Sequence, residues 1–556
     1  MRQVAAETLT QELRRRYEEA KNQRSDLIPV WQKITRYVLP QNGKYLGKTT
    51  QRDRRVSFGD ILDNTASWAH GVLVAGLAAG AFPQATPWAG IRMRDPLLAS
   101  KNVGGEWADQ LSLIVHAVMA QANVYPALRH CVAEMSAFGP GCLVIEEHEE
   151  NIIHLHKLAA GTYCIDRDFE GYVVALYREL TSTVAAVVDR FGLENCSERV
   201  KHAWEQRKYS ESVELLHVID ERKQRDPTRQ DNRNMPWRSV YIDQSAREDE
   251  PPLSESGYPF MPVLCPRWEV HGDDTYGTSA AMKALGDTSG LQHKHVRMGE
   301  AIDKMTRPAT QGPAEIEEVM GMPGAHTRTT GAARIEPLAP PTLPIQYLWQ
   351  QIVEGDHVRI ARAFYADVFQ AFLGDTRSGT TAREIMARLQ EKMQGVGPVL
   401  NNIDHELLRP LIHAIIWFLM QRGMVPPAPS EIEGQELEVE LLAPLFRALK
   451  AEQSRGTMQL VEMIAQLGLV PGWDHVRDRV DVDAAADELR DTFGAPARVL
   501  KSVREVQSVR DARARMMAAQ QQAAMVQQAA GVTKDLAQSP VEPGNALGQL
   551  GAGAAQ

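Results

Sequence analysis

Histidines and carboxylates carry most of the chemistry open to a protein, and here they fall into four groups. His154 and His156 lie two apart in a strand-like segment, so they share a face and could offer two metal ligands. No third ligand is near in sequence, and a surface pair is the plainer reading. His293 and His295 are also two apart, but on a helix, where that step turns about 200° and separates them. Asp273-Asp274 reads as an N-terminal helix cap at the positive end of the dipole, with a magnesium site as the sharper alternative. Glu146-Glu147 with Glu149-Glu150 reads as a solvated turn. There is no G-x-x-x-x-G-K-[ST] phosphate cradle, no H-E-x-x-H and no G-x-S-x-G. The five cysteines form no C-x-x-C pair and read as reduced, packed thiols. No catalytic residue, metal site or cofactor is therefore expected.

The totals bound the classes that remain. At 556 residues the chain is long enough for several cores. Its net charge of -10 argues against a protein that grips nucleic acid over its whole surface. It is compatible with a wall past which DNA slides, because acidic surfaces repel phosphates and avoid salt-sensitive grip. Met1 leads into a polar helix rather than a secretory signal. The longest apolar stretch, 71–82, is well short of the ~20 residues that cross a bilayer, so no membrane partner is expected.

The elements that must position any site follow from periodicity. The spacing predicts one helix over 7–39, with Leu13, Tyr17, Trp31 and Ile34 on its apolar face and Pro40 as its stop. A basic stretch at 41–58 reads as a loop. A small-residue helix from about 60 to 80 suits close helix contact, and a strand at 88–93 follows Pro87. Residues 104–137 read as one helix. Strands are expected at 142–146, 152–157, 163–167, 172–179, 213–221 and 237–243, with a helix at 182–191. A proline-free helix over 278–306, on the order of 44 Å long, leads to a Pro/Gly-rich insertion at 307–344. A second long helix, 345–373, carries the stripe Leu348, Trp349, Ile352, Ile360, Phe364, Val368 and Phe372. A loop at 374–381 precedes helices over 382–422. A strand at 437–441, helices at 444–468, 473–478 and 482–492, and a helix at 499–530 come next; 536–556 reads as disordered. The fold class is α+β, mainly helical.

Five fragments in order resemble the head-to-tail connector (portal) family of short-tailed, podovirus-type bacteriophages. They are Arg24-x6-Trp31-x2-Ile34-x2-Tyr37-Val-Leu-Pro40, Leu73-x3-Leu77-x2-Gly80-x-Phe82-Pro83-x3-Pro87-Trp88 and Phe138-Gly-Pro-Gly-Cys142. Further on come Pro262-Val-Leu-Cys-Pro-Arg267-Trp268 with Tyr276-Gly-Thr-Ser279, and Thr380-Thr-Ala-Arg-Glu384 with Leu408-Arg-Pro410. Ala280 stands where family members usually have proline.

The resemblance implies a portal fold assembling into a ring. A wing would span 1–277, a stem 278–306 and 345–373, a clip 307–344 and a tunnel loop 374–381. Linking helices would follow at 382–430, then a crown with room for a C-terminal helical barrel at 431–530 and a disordered tail at 531–556. It further implies a homo-oligomer of twelve copies at one capsid vertex of the virion, made in the host cytoplasm and conducting double-stranded DNA in packaging and ejection. Its implied partners are the major capsid and scaffolding proteins, the terminase large subunit and the tail adaptor proteins. On this reading Thr376, Arg377 and Ser378 contact DNA, and His326, Arg328 and Arg334 dock partners. Trp349, Phe364 and Phe372 pack between subunits. Another structural ring of the virion, such as a tail adaptor, and a metal-dependent DNA hydrolase are the competing classes.

Overall fold

The first helix begins at a capping box: the Thr8 hydroxyl accepts from the Gln11 N–H while the Gln11 side chain accepts from the Thr8 N–H. The structure, a computed structural model, describes residues 8–46, 61–94, 102–229, 231–247, 250–306, 310–311, 336–337, 347, 349–372, 395–430, 434–448, 503–538 and a few single positions between 460 and 483.

The helix expected over 7–39 is two, α1 (Leu9–Arg24) and α2 (Ile28–Tyr37). The Ser25 hydroxyl donates to the Asn22 carbonyl at 2.6 Å and closes α1; Pro29 sits in the first turn of α2, where a missing N–H costs nothing. The small-residue helix α3 (Thr65–Ala81) precedes strand β1 (Ala89–Met93). The helix expected over 104–137 is also two, α4 (Asn102–Gln121) and α5 (Val124–Phe138), bent by 76°. Asn123 sits in the bend and docks on the next sheet: its amide donates to the Leu155 carbonyl and accepts from the Leu155 N–H, at 2.8 and 2.9 Å. Among the described residues no single helix is long and apolar enough to cross a membrane.

Strands β2 (Cys142–His148) and β3 (Ile152–Leu158) form a hairpin, and β4 (Tyr163–Arg167) and β5 (Val173–Thr183) begin an antiparallel meander. Two short helices follow, α6 (Val184–Phe191) and α7 (Glu198–Glu205). The meander then continues through β6 (Ser212–Glu221), β7 (Trp237–Asp243) and β8 (Ser254–Tyr258) in the order β4-β5-β6-β7-β8. Along β6 side chains alternate between two cores. Leu216 and Val218 pack with Leu13, Tyr17 and Ala20 of α1; Val213 and Leu215 pack with Val184, Val187, Val200 and Ala203 of α6 and α7. A two-residue strand, β9 (Val263–Leu264), pairs with β2. The strands expected in this region all form; α7, β8 and β9 were not anticipated.

The long helix α8 (Ala280–Thr306) is unbroken, although Gly286, Gly290 and Gly299 lie within it. Beyond it β10 (Thr310–Gln311) pairs with β11 (Glu336–Pro337). The second long helix is not continuous as expected. A π-helical turn, Trp349–Val353, runs into α9 (Glu354–Ala363), and α10 (Ala366–Phe372) follows a break. At the break Tyr365 has φ +52°, and its carbonyl accepts from Val368 and Phe369, both at 3.1 Å. That turn lets Phe364 and Phe369 both enter the core.

Helix α11 (Gly397–Ile403), a π turn (Asp404–Leu408) and α12 (Arg409–Gln421) fill the centre of the main core. β12 (Leu437–Leu441) pairs antiparallel with β1, and Arg92 meets Glu440 at 2.5 Å. The chain has a further long helix, α13 (Val503–Gln538), which runs past the expected end at 530. The observed fold is α+β and mainly helical. The described start of the expected loop at 41–58 holds a short helix instead, Gly43–Leu46; its remainder, the helix expected at 473–478 and, Asp483 apart, the one expected at 482–492 lie outside the described residues.

Candidate functional site

Four sequence fragments that lie far apart in the chain meet at the foot of α8. Ser279 caps this helix: its hydroxyl accepts from the Met282 N–H at 3.0 Å and donates to the Ala137 carbonyl at 2.8 Å. Asp273-Asp274 is therefore not the cap; Asp274 instead accepts from the Tyr276 N–H in the preceding turn. The Phe138–Gly141 turn lies directly beneath. Gly139 has φ +104°, and a Cβ there would stand 2.8 Å from the Tyr276 and Gly277 carbonyl oxygens, so glycine is required twice over. The Trp31 indole donates to the Phe138 carbonyl at 2.9 Å, and its ring meets Phe138 and Tyr276 edge-on.

Arg267 and Trp268 close the knot. The Trp268 N–H donates to Gly139, and the buried Arg267 guanidinium forks onto Glu406, at 2.5 Å in the shorter contact, and donates to the Gly171 carbonyl. Asn402 donates to the Arg267 carbonyl at 3.0 Å. Trp31, Trp268 and Tyr276 are fully buried here. Behind the turn, Glu134 is wholly buried, accepts from the Ala160 N–H at 2.8 Å and from the Asn42 amide, and burial pushes its carboxyl up to about 7.

From that anchored foot α8 runs outward against α9. Lys294 pairs with the buried Asp356 at 2.5 Å, and Arg359 spans Asp356 and Asp287. Ala280, Ala281, Ala284, Thr288, Leu291 and Gln292 bury the first half of α8. The outer half does the opposite. Val296, Ile302 and Met305 on α8, and Tyr347, Trp349 and Val358 before and in α9, are each 41–60% exposed.

The residues singled out from sequence separate into several outcomes. Phe364, expected between subunits, is wholly buried in the chain's own core with its ring edge-on to His70. Its partners are on α3, which no local pattern reveals. Trp349, expected buried, is 41% exposed in the single chain. Phe372 is the last residue of α10. Thr376, Arg377, Ser378, His326, Arg328 and Arg334 lie outside the described residues. Glu146 is not in a turn: it lies on β2 opposite His154, and His156 Nε2 is 3.1 Å from its carboxylate. Burial opposes its charge, but the His156 contact and the charges of His156 and Arg190 outweigh this and hold its carboxyl down to about 2. The five cysteines are buried and unpaired. His295, dismissed as a partner for His293, instead faces Asp63 and His357, from segments too distant for spacing to connect.

A sequence model of the family described as "Bacteriophage head to tail connecting protein" matches residues 10–500. The chain belongs to that family, a structural and non-enzymatic one whose members sit in the virion at the capsid portal vertex. It is 33% identical over 517 residues to the "Probable portal protein" of Bordetella phage BPP-1, covering 92% of each chain. It is 29% identical over 547 residues to the "Portal protein" of Salmonella phage epsilon15, covering 98% of each. A solved chain from the neck of an empty gene transfer agent particle is 13% identical with a TM-score of 0.38, over 80% of this chain and 93% of that one.

Proposed function

We propose that twelve copies of this chain form a portal ring around an axial channel, through which double-stranded DNA enters the capsid during packaging and leaves during ejection. The observation that carries the reading is the helix pair with a buried foot and an outer half that leaves large apolar side chains, Val296, Ile302, Met305 and Trp349, exposed among its charges. Large apolar side chains left exposed along one helix pair suit a covering surface, and a ring supplies one from the neighbouring copy. Residues 1–277 are the wing, to which the helices of 382–430 return; 278–306 and 345–373 are the stem. The clip is 307–344, a division supported by the β10–β11 ladder across the base of that insertion. The tunnel loop is 374–381 and the crown 431–530.

In this arrangement Trp349 and Phe372 pack between subunits, while Phe364 does not. Arg377, flanked by Thr376 and Ser378, touches phosphates whatever the sequence, since a moving duplex presents every base pair in turn. His326, Arg328 and Arg334 dock the terminase large subunit first and tail adaptor proteins later. Capsid and scaffolding proteins are the neighbours in the shell.

Particle images of the purified protein test the ring directly: an annulus with a central hole is expected, and a lone monomer under every assembly condition would refute it. Arg377→Glu should leave assembly intact and impair DNA retention; unchanged packaging and retention would remove the loop's DNA role. Deletion of 307–344 should spare rings but abolish terminase engagement.

A further inference from the structure

We propose that Asp63, His295 and His357 bind a first-row divalent metal ion, zinc by preference, at the junction of the α8–α9 pair with the body of the chain. His357 Nε2 lies 2.8 Å and His295 Nε2 3.2 Å from the same oxygen, Asp63 Oδ2. All three atoms fall within 4.8 Å of one another. Tetrahedral zinc ligands, each at about 2.0–2.2 Å, stand roughly 3.3–3.6 Å apart, so small side-chain rotations admit an ion. Two imidazoles and a carboxylate are a donor set that zinc favours, and water completes it on the side where His357 is 34% exposed.

A second observation points the same way. His295 Nε2 is buried and makes no hydrogen bond of acceptable geometry, Asp63 included. Such an atom is costly unless something satisfies it, and a cation does so. The cluster is also held in place from behind. Asp63 Oδ1 accepts from the Thr65 N–H at 2.9 Å, so the ion would take Oδ2 and replace the 2.8 Å hydrogen bond that His357 Nε2 makes there. Gln292, itself buried, accepts from the Leu62 and Asp63 N–H groups and donates to the Asp63 carbonyl at 2.7 Å. Trp349 walls one side, edge-on to His295 at 5.3 Å. Lys294 and Arg359, the cations beside the histidines, pair with Asp356 and Asp287 rather than Asp63. The ion would staple three segments: the approach to α3, the middle of α8 and the start of α9. This inference does not depend on the ring reading.

The test uses the purified, untagged full chain, stripped with chelator and titrated with Co²⁺ alone or Zn²⁺ alone. One equivalent of zinc should survive desalting, cobalt should give the visible band of a low-coordinate histidine site, and zinc should abolish that band. Zinc should also raise the melting temperature in a manner reversed by EDTA. His357→Ala and His295→Ala should weaken zinc binding by more than roughly 100-fold, because a lost ligand costs more than a lost supporting contact. His156→Ala, at the separate Glu146 cluster, should change nothing. If His295→Ala fails to fold, the near-isosteric Asp63→Asn takes its place, with the same loss of zinc expected. No cobalt band with the native chain, or equal zinc retention in the ligand variants, overturns the proposal.

Discussion

Two buried groups at the foot of α8 make opposite demands on their surroundings. The Arg267 guanidinium is 5% exposed and its charge is matched by Glu406. Glu406→Leu strands a buried cation, and we expect a loss of about 3–5 kcal/mol in the urea unfolding of unassembled chain. Glu134 has only the His130 ring near it, at 3.9 Å, and burial favours the neutral form of that imidazole. Burial raises its carboxyl from near 4.5 unfolded to about 7 folded, so its native form prefers to keep the proton. Its contribution to stability is then full below pH 4.5 and disappears as pH rises through about 7. Roughly 3 kcal/mol of pH dependence follows from such a gap. Glu134→Gln should flatten the unfolding free energy across that window and leave the chain more stable than the parent at pH 8; an unchanged slope would show that another group governs it.

At the scale of elements, periodicity identified strands and helices but not where helices break. Strands such as β2 and β6 announce themselves through short apolar runs rich in Val, Ile and Leu, which are local properties. The 76° bend between α4 and α5 depends on Asn123 meeting Leu155, a contact across 32 positions. The break at Tyr365 likewise serves two phenylalanines whose partners lie on α3. The small-residue helix was correctly read as a close-contact surface, but its partner was not. A Cβ on Gly76 would stand 2.3 Å from the Phe369 side chain. Gly76→Ala should therefore cost about 1–3 kcal/mol by overpacking, read as a lowered thermal midpoint. A neutral result would mean that α10 is not seated on α3.

For the whole molecule, the outer half of the helix pair decides between a self-sufficient chain and a subunit. Ile302 is 47% exposed and supports nothing within the single chain's core. Ile302→Asp should leave the unassembled chain within about 0.5 kcal/mol of the parent, as exposed substitutions do, while abolishing rings in particle images. Rings that persist would put the covering surface elsewhere.

The amino-acid order alone determined the element types, the long helix with its proline-rich insertion, and the family to which the chain belongs. These follow from spacing and backbone preference, which neighbouring residues set among themselves. The three-dimensional fold decided which faces meet: that the Phe138–Gly141 turn lies beneath Tyr276, that β1 pairs with β12, that Phe364 turns inward, and that Asp63 joins His295 and His357. An apolar stripe states that a face is buried but carries no record of the surface that covers it, so such pairings become visible only when the chain has closed on itself.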